Sequence, residues 1–321
     1  MSDLPASWIV ASDRAGIRLD RFMTLSLPDE SRSQMQNWIR KGHVTVNGKT
    51  AKTGYITRTG DHVELRLPAT EPGGPFPEEI PLTVLYEDDD LAVIDKPAGM
   101  ICHTGAGIKS GTLVNALLYR MGSLEAGDPA RPGIVHRLDK FTSGVLLVAK
   151  NNFAHRRLSE QFKKRQVRKH YLALIYGSLS PPRGTIDLAI GRDPDDRKKM
   201  SPRAGHKRNA VTHYSLKTDY GTLSLLDIRI ETGRTHQIRV HLAWKGHPVV
   251  GDILYGGNRF RNLSAPLMNE ANKLGRLFLH ASRLEFIHPR SEKQLSFCAP
   301  LPEELQHFLV LIEKQLSRRA P

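Results

Sequence analysis

Apolar and polar residues follow two different periods along this chain. In residues 14–67, Leu19, Phe22, Met23 and Leu25 recur at near-helical spacing, and Met35, Trp38 and Ile39 form a second apolar stripe. Ser31 with Gln34 three residues on reads as a capping box opening that second helix, and Gly42 closes it. Val44-Thr45-Val46 followed by Asn47-Gly48 predicts a strand and a tight hairpin turn, while Val63, Leu65 and Leu67 alternate as a closing strand. Residues 14–67 are therefore expected to form a small unit. Residues 68–80, rich in Pro, Gly and Glu without periodicity, are expected to be a flexible linker.

From residue 81 to 315 strands dominate. A strand over 82–86, an acidic turn Glu87-Asp88-Asp89-Asp90 read as solvated, and a strand over 91–94 open this larger domain. Further β-branched runs at 171–177, 211–217, 222–230 and 283–288 are separated by helical patches at 112–121, 154–166 and 236–245. No regular βαβ alternation appears, which predicts an α+β domain on a mixed or antiparallel sheet rather than a dinucleotide-binding fold. Gly105-Ala106-Gly107 is no dinucleotide fingerprint, and no P-loop or internal repeat occurs.

Charge narrows the choice of partner. Lys and Arg number 47 against 33 Asp and Glu, for a net +14 over 321 residues with only 7% aromatics. Such a balance favours a polyanion, RNA or DNA. Residues 155–170 carry seven Lys/Arg and residues 197–208 carry six; the second run reads as a mobile basic loop near a cleft. Cys102 and Cys298 are the only cysteines, which gives neither a disulfide framework nor a Cys-rich zinc site and fits a reducing compartment. With no signal-like start and no apolar run approaching 18 residues, a cytoplasmic protein with no membrane partner is expected.

Three segments carry candidate chemistry. His136-Arg137-Leu138-Asp139-Lys140-Phe141-Thr142-Ser143-Gly144 sets one carboxylate beside basic residues, between the apolar approach 133–135 and the run 145–149. An acid is thus presented at the end of a strand or bend, although such an Asp is ordinarily half of a structural ion pair. The second segment, residues 168–174, carries Tyr171, whose commoner fate is a half-buried strand aromatic. In the third, residues 231–242, Thr235 is a candidate N-cap and Gly246 a stop, with Gln237 and His241, and likewise Thr235 and Arg239, four apart on one face. Spacings of five and six between His236, His241 and His247 do not stack the rings for zinc, so capping and hydrogen-bonding roles are expected.

These segments, written HRLD-x-x-TSG, K-x-Y-x-A and TGRTHQIRVH, resemble in order and separation the motifs of the RluA-type pseudouridine synthases. Residues 94–99 and 277–281 match as well, and the resemblance spans roughly residues 14–315. RLDRFM and SRSQMQNWIRKGHVTVNGK resemble the alpha-L RNA-binding domain shared by a small-subunit ribosomal protein and several RNA-modifying enzymes. HTGAG-x-x-x-GTLVNALL, from His103, is most similar to the ribosomal large-subunit synthase D branch.

The resemblance implies an enzyme that breaks uridine's glycosidic bond, turns the uracil and rejoins it through carbon 5, with no metal and no small-molecule cofactor. It implies Asp139 as the essential carboxylate, Arg239 as its buried partner and Tyr171 packed on the target base to assist proton movement. Leu279 would wall the other side of the base and Arg137 would fill the space the flipped nucleotide leaves, with His136 and Thr142 also on the substrate side. The implied partner is RNA, large-subunit ribosomal RNA first and transfer RNA second, with a non-catalytic ribosome-assembly factor as the rival from another class. A monomer is expected.

Overall fold

The computed structural model describes residues 6–317 apart from 29, 31, 67–73, 106–107, 123 and 258–262. It divides into two compact units: residues up to Pro75 with Gly127–Pro132, and Phe76–Ala126 with Gly133 onward. Among the described residues no helix is long and apolar enough to cross a membrane.

The first unit packs two helices, α1 (Leu19–Ser26) and α2 (Arg32–Arg40), with four strands, β1 (Ala6–Ile9), β2 (Val44–Val46), β3 (Lys49–Thr50) and β4 (His62–Leu65), in the order β1-β4-β2-β3. The expected stripes supply its core, apart from Leu25, which faces solvent: Leu19, Phe22, Met23, Met35, Ile39, Val44, Val63 and Leu65 are buried together. Asn47 and Gly48 both take positive φ, 51° and 75°, the geometry of the hairpin turn their sequence signals. Asp20 ties α1 to α2 by accepting from Arg32 at 2.9 Å and Gln36 at 2.7 Å. Burial alone would raise its pKa, but these donors and Arg18 outweigh it and bring it down to about 2. One boundary shifts from expectation. The unit begins ahead of residue 14, because β1 pairs with β4, and the proposed cap Ser31 and strand end Leu67 lie outside the described residues.

The second unit is built on one nine-stranded sheet. Its strands and helices are, in chain order, β5 (Thr83–Glu87), β6 (Leu91–Lys96), α3 (Leu113–Met121), β7 (Ser143–Ala149), α4 (Asn152–Lys163), β8 (Arg168–Tyr176) and β9 (Arg183–Asp187). There follow β10 (Gly191–Arg192), β11 (Met200–Ser201), β12 (Val211–Asp219), β13 (Leu223–Ile230), α5 (Gln237–Trp244), α6 (Ala265–Lys273), β14 (Leu279–Ile287), β15 (Gln294–Cys298) and α7 (Glu303–Ser317). The sheet runs β5-β6-β7-β14-β8-β13-β12-β9, with β15 on β14; only the β7–β14 contact is parallel, so the sheet is mixed as expected. β7 is buried at every position, which is why its sequence is a continuous small and apolar run rather than an alternating one.

Pleating sorts the central strands between two faces. Tyr171, Ala173, Ile228, Ile230, Leu279 and Ala281 share one core with Ile238 and Leu242 of α5. Leu174, Tyr176, Leu223, Leu225 and Phe278 face the other way, against Leu305, Phe308 and Ile312 of α7. Gly144 makes the β7–β14 junction possible: its φ is 112°, and a Cβ there would lie 2.1 Å from the Ala281 carbonyl oxygen.

Three expectations are corrected here. Part of the linker belongs to the second unit, since Phe76 and Glu78 hydrogen-bond with Asn115. The acidic turn is tied down at three of its four acids while Glu87 and Asp89 stay exposed: Arg290 grips Asp90 with two 2.7 Å bonds, His288 Nε2 lies 2.9 Å from Asp88 and Lys150 meets Glu87 at 3.0 Å. The basic run 197–208 is folded: its own β11 pairs with β10, Arg208 bridges to Ile190 and Met200 N–H donates to Tyr255 Oη at 2.8 Å.

Candidate active site

Asp139 stands in the turn leading into β7, and that turn is fastened from below. Lys96, fully buried at the end of β6, donates from Nζ to the carbonyls of Pro97 at 2.7 Å, Met100 at 2.9 Å and Lys140 at 3.4 Å. Burial depresses its pKa to about 8, and carbonyl oxygens rather than an acid solvate it. Gly99 N–H also donates to Lys140 O, Cys102 Sγ accepts from Leu138 N–H, and Thr142 N–H closes the turn on Asp139 O at 3.1 Å. The acid is therefore held on a rigid bend.

Opposite it, α5 presents Arg239. The helix begins one residue later than expected: its cap is His236, at φ 56° in the left-handed region, and not Thr235. Gln237 makes this start tenable, because its side-chain oxygen accepts from Arg234 N–H at 3.1 Å and from Thr232 Oγ1 at 2.7 Å. The shared face foreseen for Gln237 and His241 is real, since both reach Thr212 Oγ1, at 3.1 and 2.9 Å. His247 bonds to Tyr176 O and His236 to Tyr255 Oη, so the three histidines serve separate partners. Among the described residues no cluster of His, Cys, Asp and Glu is grouped to hold a metal ion.

Arg239 bridges two carboxylates. Its Nε and Nη2 form a two-bond pair with Asp252, at 2.7 and 2.9 Å, while Nη1 reaches Asp139 Oδ2 at 3.2 Å. Burial by itself would depress the guanidinium, but Asp252 and then Asp139 outweigh it and raise its pKa. Asp252 Oδ1 in turn accepts from Leu254 and Tyr255 N–H, at 3.0 and 3.1 Å. The Tyr255 ring lies 5.0 Å from the guanidinium carbon and its pKa is pushed up to about 12, chiefly by burial. His236 Nε2 stands 4.0 Å from Asp139 Oδ2, and burial keeps its pKa low despite that charge. Asp252 and Tyr255 were missed by sequence reasoning; the compact run Gly251-Asp252-Ile253-Leu254-Tyr255-Gly256 was the available signal.

These groups open onto a cleft of about 510 Å³ lined by Asp139, Thr142, Tyr171, Ile230, Arg239 and Leu279, with Arg137 and residues 233–238 also on its walls. Tyr171 and Leu279 sit on neighbouring strands β8 and β14, and both are nearly buried, at 7% and 3% exposure. Burial, and then the charge of Asp139, raise the pKa of Tyr171, so its hydroxyl is a neutral donor at any physiological pH. That hydroxyl has no hydrogen-bond partner among the described residues. Arg137 is exposed at the mouth, with Nη1 3.3 Å from His103 Nε2.

One expected site residue stands elsewhere. His136 does not line the cleft; its ring stacks on Phe162 at 4.6 Å and its Nε2 accepts from Leu147 N–H at 2.8 Å. The alternation of the chain turns it away from Asp139, and burial, with Lys169 nearby, drives its pKa down to about 3. The remaining expected residues, Arg137, Asp139, Thr142, Tyr171, Arg239 and Leu279, converge on one cleft.

Comparison with known proteins gives the arrangement its context. The family model described as RNA pseudouridylate synthase matches residues 90–244, and that of the S4 domain matches residues 17–63. The chain is 43% identical over 314 residues to the ribosomal large subunit pseudouridine synthase D of Xanthomonas campestris, covering 97% of this chain and 94% of that protein. It is 45% identical to an uncharacterized RNA pseudouridine synthase of Chloroflexus aurantiacus, again over 97% and 94%. Among solved structures, human RNA pseudouridylate synthase domain containing 4 superposes with a TM-score of 0.56 at 29% identity, covering 72% of this chain and 92% of that one.

Proposed function

The chain belongs to the RNA pseudouridylate synthase family and carries an S4 domain, and we propose that it isomerises specific uridines of large-subunit ribosomal RNA with Asp139 as the essential carboxylate. The observation that supports this most is the convergence of one carboxylate, one guanidinium, one neutral phenol and one leucine on a single cleft. Relatives named as large-subunit synthases, at 43%, 41% and 38% identity, support the choice of RNA.

The reaction exchanges the bond between uracil N1 and ribose C1′ for one between C5 and C1′. C5 loses a proton and N1 gains one, so oxidation state is unchanged and the residues need only direct charge and protons. Asp139 faces the ribose, either attacking C1′ or taking a proton as a glycal forms. Arg239, anchored by Asp252, orients the carboxylate at no cost of reorganisation during the reaction. Tyr171 and Leu279 hold the uracil between them, and the Tyr171 hydroxyl, held neutral by burial, acts on the proton leaving C5 as a relay, accepting it while passing its own on, so that N1 gains one proton as C5 loses one. A base reaches this cleft only after leaving its stack, which costs a few kcal/mol that contacts to the flipped base offset. Arg137, at the mouth, fills the vacated position. The protein acts in the cytoplasm as a monomer, without metal or cofactor.

Nucleotide-resolution pseudouridine mapping on unmodified ribosomal RNA, with wild type and Asp139→Asn, tests this. New signals in large-subunit RNA with wild type alone, and equal RNA binding by both proteins, are expected. Signals confined to transfer RNA would move the substrate; wild-type turnover that survives in Asp139→Asn would remove Asp139 from the chemistry.

A further inference from the structure

Beside the cleft, β8 carries a cation that the chemistry of Asp139 leaves unused. Lys169 lies two residues before Tyr171 and on the same face of the strand. It is only 8% exposed. Its strand neighbours are Ile230 on β13 and Leu284 on β14, and among the described residues it has neither a salt bridge nor a hydrogen bond. The ammonium stands 6.0 Å from the Phe162 ring centre and 3.8 Å from the point where a Cβ on Gly233 would lie.

The charges that face Lys169 are themselves cations, Arg234 and Arg165. Arg234 lines the cleft beside Gly233 and uses Nε on Asn209 O at 3.2 Å. Arg165 Nη1 is 3.9 Å from Glu231 Oε2, but Glu231 is already held by His213 at 2.8 Å, and Arg208 adds a further positive charge near Arg234. Burial and these like charges lower the pKa of Lys169 to about 8, which still leaves it charged at neutral pH. A ring contact at the roughly 6 Å limit of cation–π range returns only a fraction of what drawing an unpaired ammonium largely out of water costs. The arrangement lacks an anion.

We propose that Lys169 and Arg234, flanked by Arg165, form a subsite for one phosphodiester of the RNA backbone adjoining the target uridine. This rests on reading the cleft as the uridine pocket. Two residues of strand separate Lys169 from Tyr171, about 7 Å, a distance within reach of a phosphate attached to a nucleoside held at Tyr171. A phosphate there supplies the missing counter-charge and fixes the ribose relative to Asp139.

The test uses Asp139→Asn protein, so that binding is measured without turnover, and a fragment of unmodified large-subunit ribosomal RNA containing the mapped uridine. Adding Lys169→Met is expected to weaken binding about tenfold, the lower end for a hydrogen bond to a charged group, and to flatten the slope of log affinity against log salt by about 0.7. Lys169→Arg should bind like the parent. A neutral methylphosphonate at one linkage beside the uridine should weaken the parent and add nothing in Lys169→Met. Unchanged affinity and slope, or equal methylphosphonate losses in both proteins, overturn the proposal. If Lys169→Met fails to fold, the linkage scan on the parent decides, and the absence of any sensitive linkage overturns it. Inorganic phosphate is expected to compete no better than chloride at equal ionic strength; phosphate-specific competition lost in Lys169→Met would assign the site to a free anion instead. Failure of the pocket reading is separately visible, as absence of pseudouridine at that uridine after treatment with wild-type enzyme.

Discussion

Asp252 is the residue through which the site's geometry is most sharply tested, because it touches no substrate in this reading yet holds Arg239 with two of its three bonds. The Arg239 and Asp252 side chains are 9% and 0% exposed. Replacing Asp252 by Asn removes the charge and gives the amide an impossible choice. Oδ1 accepts from Leu254 N–H, Tyr255 N–H and Arg239 Nη2, and Oδ2 from Arg239 Nε, so whichever way the amide turns its NH2 faces a donor of the guanidinium. Breaking a buried ion pair costs about 3–5 kcal/mol, and drawing Arg239 closer to Asp139 recovers part of that, so a net loss of about 2–4 kcal/mol is expected. For a domain of roughly 150–250 residues this lowers Tm by about 4–16 °C. Arg239 displaced by about 1 Å costs on the order of 100-fold in rate. Thermal melts and single-turnover pseudouridine formation, run beside Asp139→Asn, separate positioning from chemistry. Asp139→Asn should melt close to wild type, because Asp139 is 19% exposed and leaves Arg239 its stronger partner, yet make no product. An Asp252→Asn enzyme with wild-type Tm and wild-type rate would refute the view that Asp252 anchors Arg239.

Other consequences follow from the same geometry. Tyr171→Phe deletes a hydroxyl with no protein partner, so stability should change by less than about 1 kcal/mol, while the rate at saturating RNA falls about 100-fold or more if the hydroxyl moves the proton; an unchanged rate would leave the ring a packing role only. His136, held neutral with its pKa near 3, lets the unfolded chain bind a proton below pH 6.5 that the fold refuses, so its contribution is intact above 6.5 and is lost as pH falls toward 3. Denaturant titrations from pH 7 to 4 should show His136→Gln with a slope shallower by about 1.4 kcal/mol per pH unit, and identical slopes would argue against a buried neutral ring. Gly144→Ala sets a Cβ 2.1 Å from Ala281 O, and a loss of about 3 kcal/mol or more, or failure to fold, is expected; a soluble variant of wild-type Tm would show that β7 and β14 can part without consequence.

Much of the fold was legible because burial and period coincide. β7 announced itself as an unbroken apolar run, and the stripe of Met35 and Ile39 marked α2. Elements that depend on distant partners were not legible. The Phe76–Ile80 segment has linker composition, yet its backbone is bound by Asn115, itself held inside the capping box of α3. The acidic turn looked solvated because Arg290 and His288 lie some two hundred residues away in sequence. In α5 local chemistry favoured Thr235 as cap, but the Gln237 side chain bonds Arg234 N–H in its place, and the cap moves to His236.

The site repeats that division at finer scale. Motif order brought Asp139, Tyr171, Arg239 and Leu279 together, but it does not carry the alternation that turns His136 outward onto Phe162 and leaves Arg137 on the cleft side with Asp139. Asp252 was invisible for a physical reason: an Asp between glycines reads as a turn former, and here it is one, accepting two backbone N–H bonds. Its second task exists only in three dimensions. A guanidinium facing Asp139 alone would have its position set by a single 3.2 Å bond and would follow that carboxylate as it reacts. Tied first to Asp252, it presents one N–H to Asp139 as a fixed donor whose direction does not depend on the state of the reacting group. The turn that closes on Asp252 also delivers Tyr255 to the guanidinium face and, through its hydroxyl, to Met200 of the basic ribbon. The supporting carboxylate thus links the basic segment 197–208 to the geometry around Asp139.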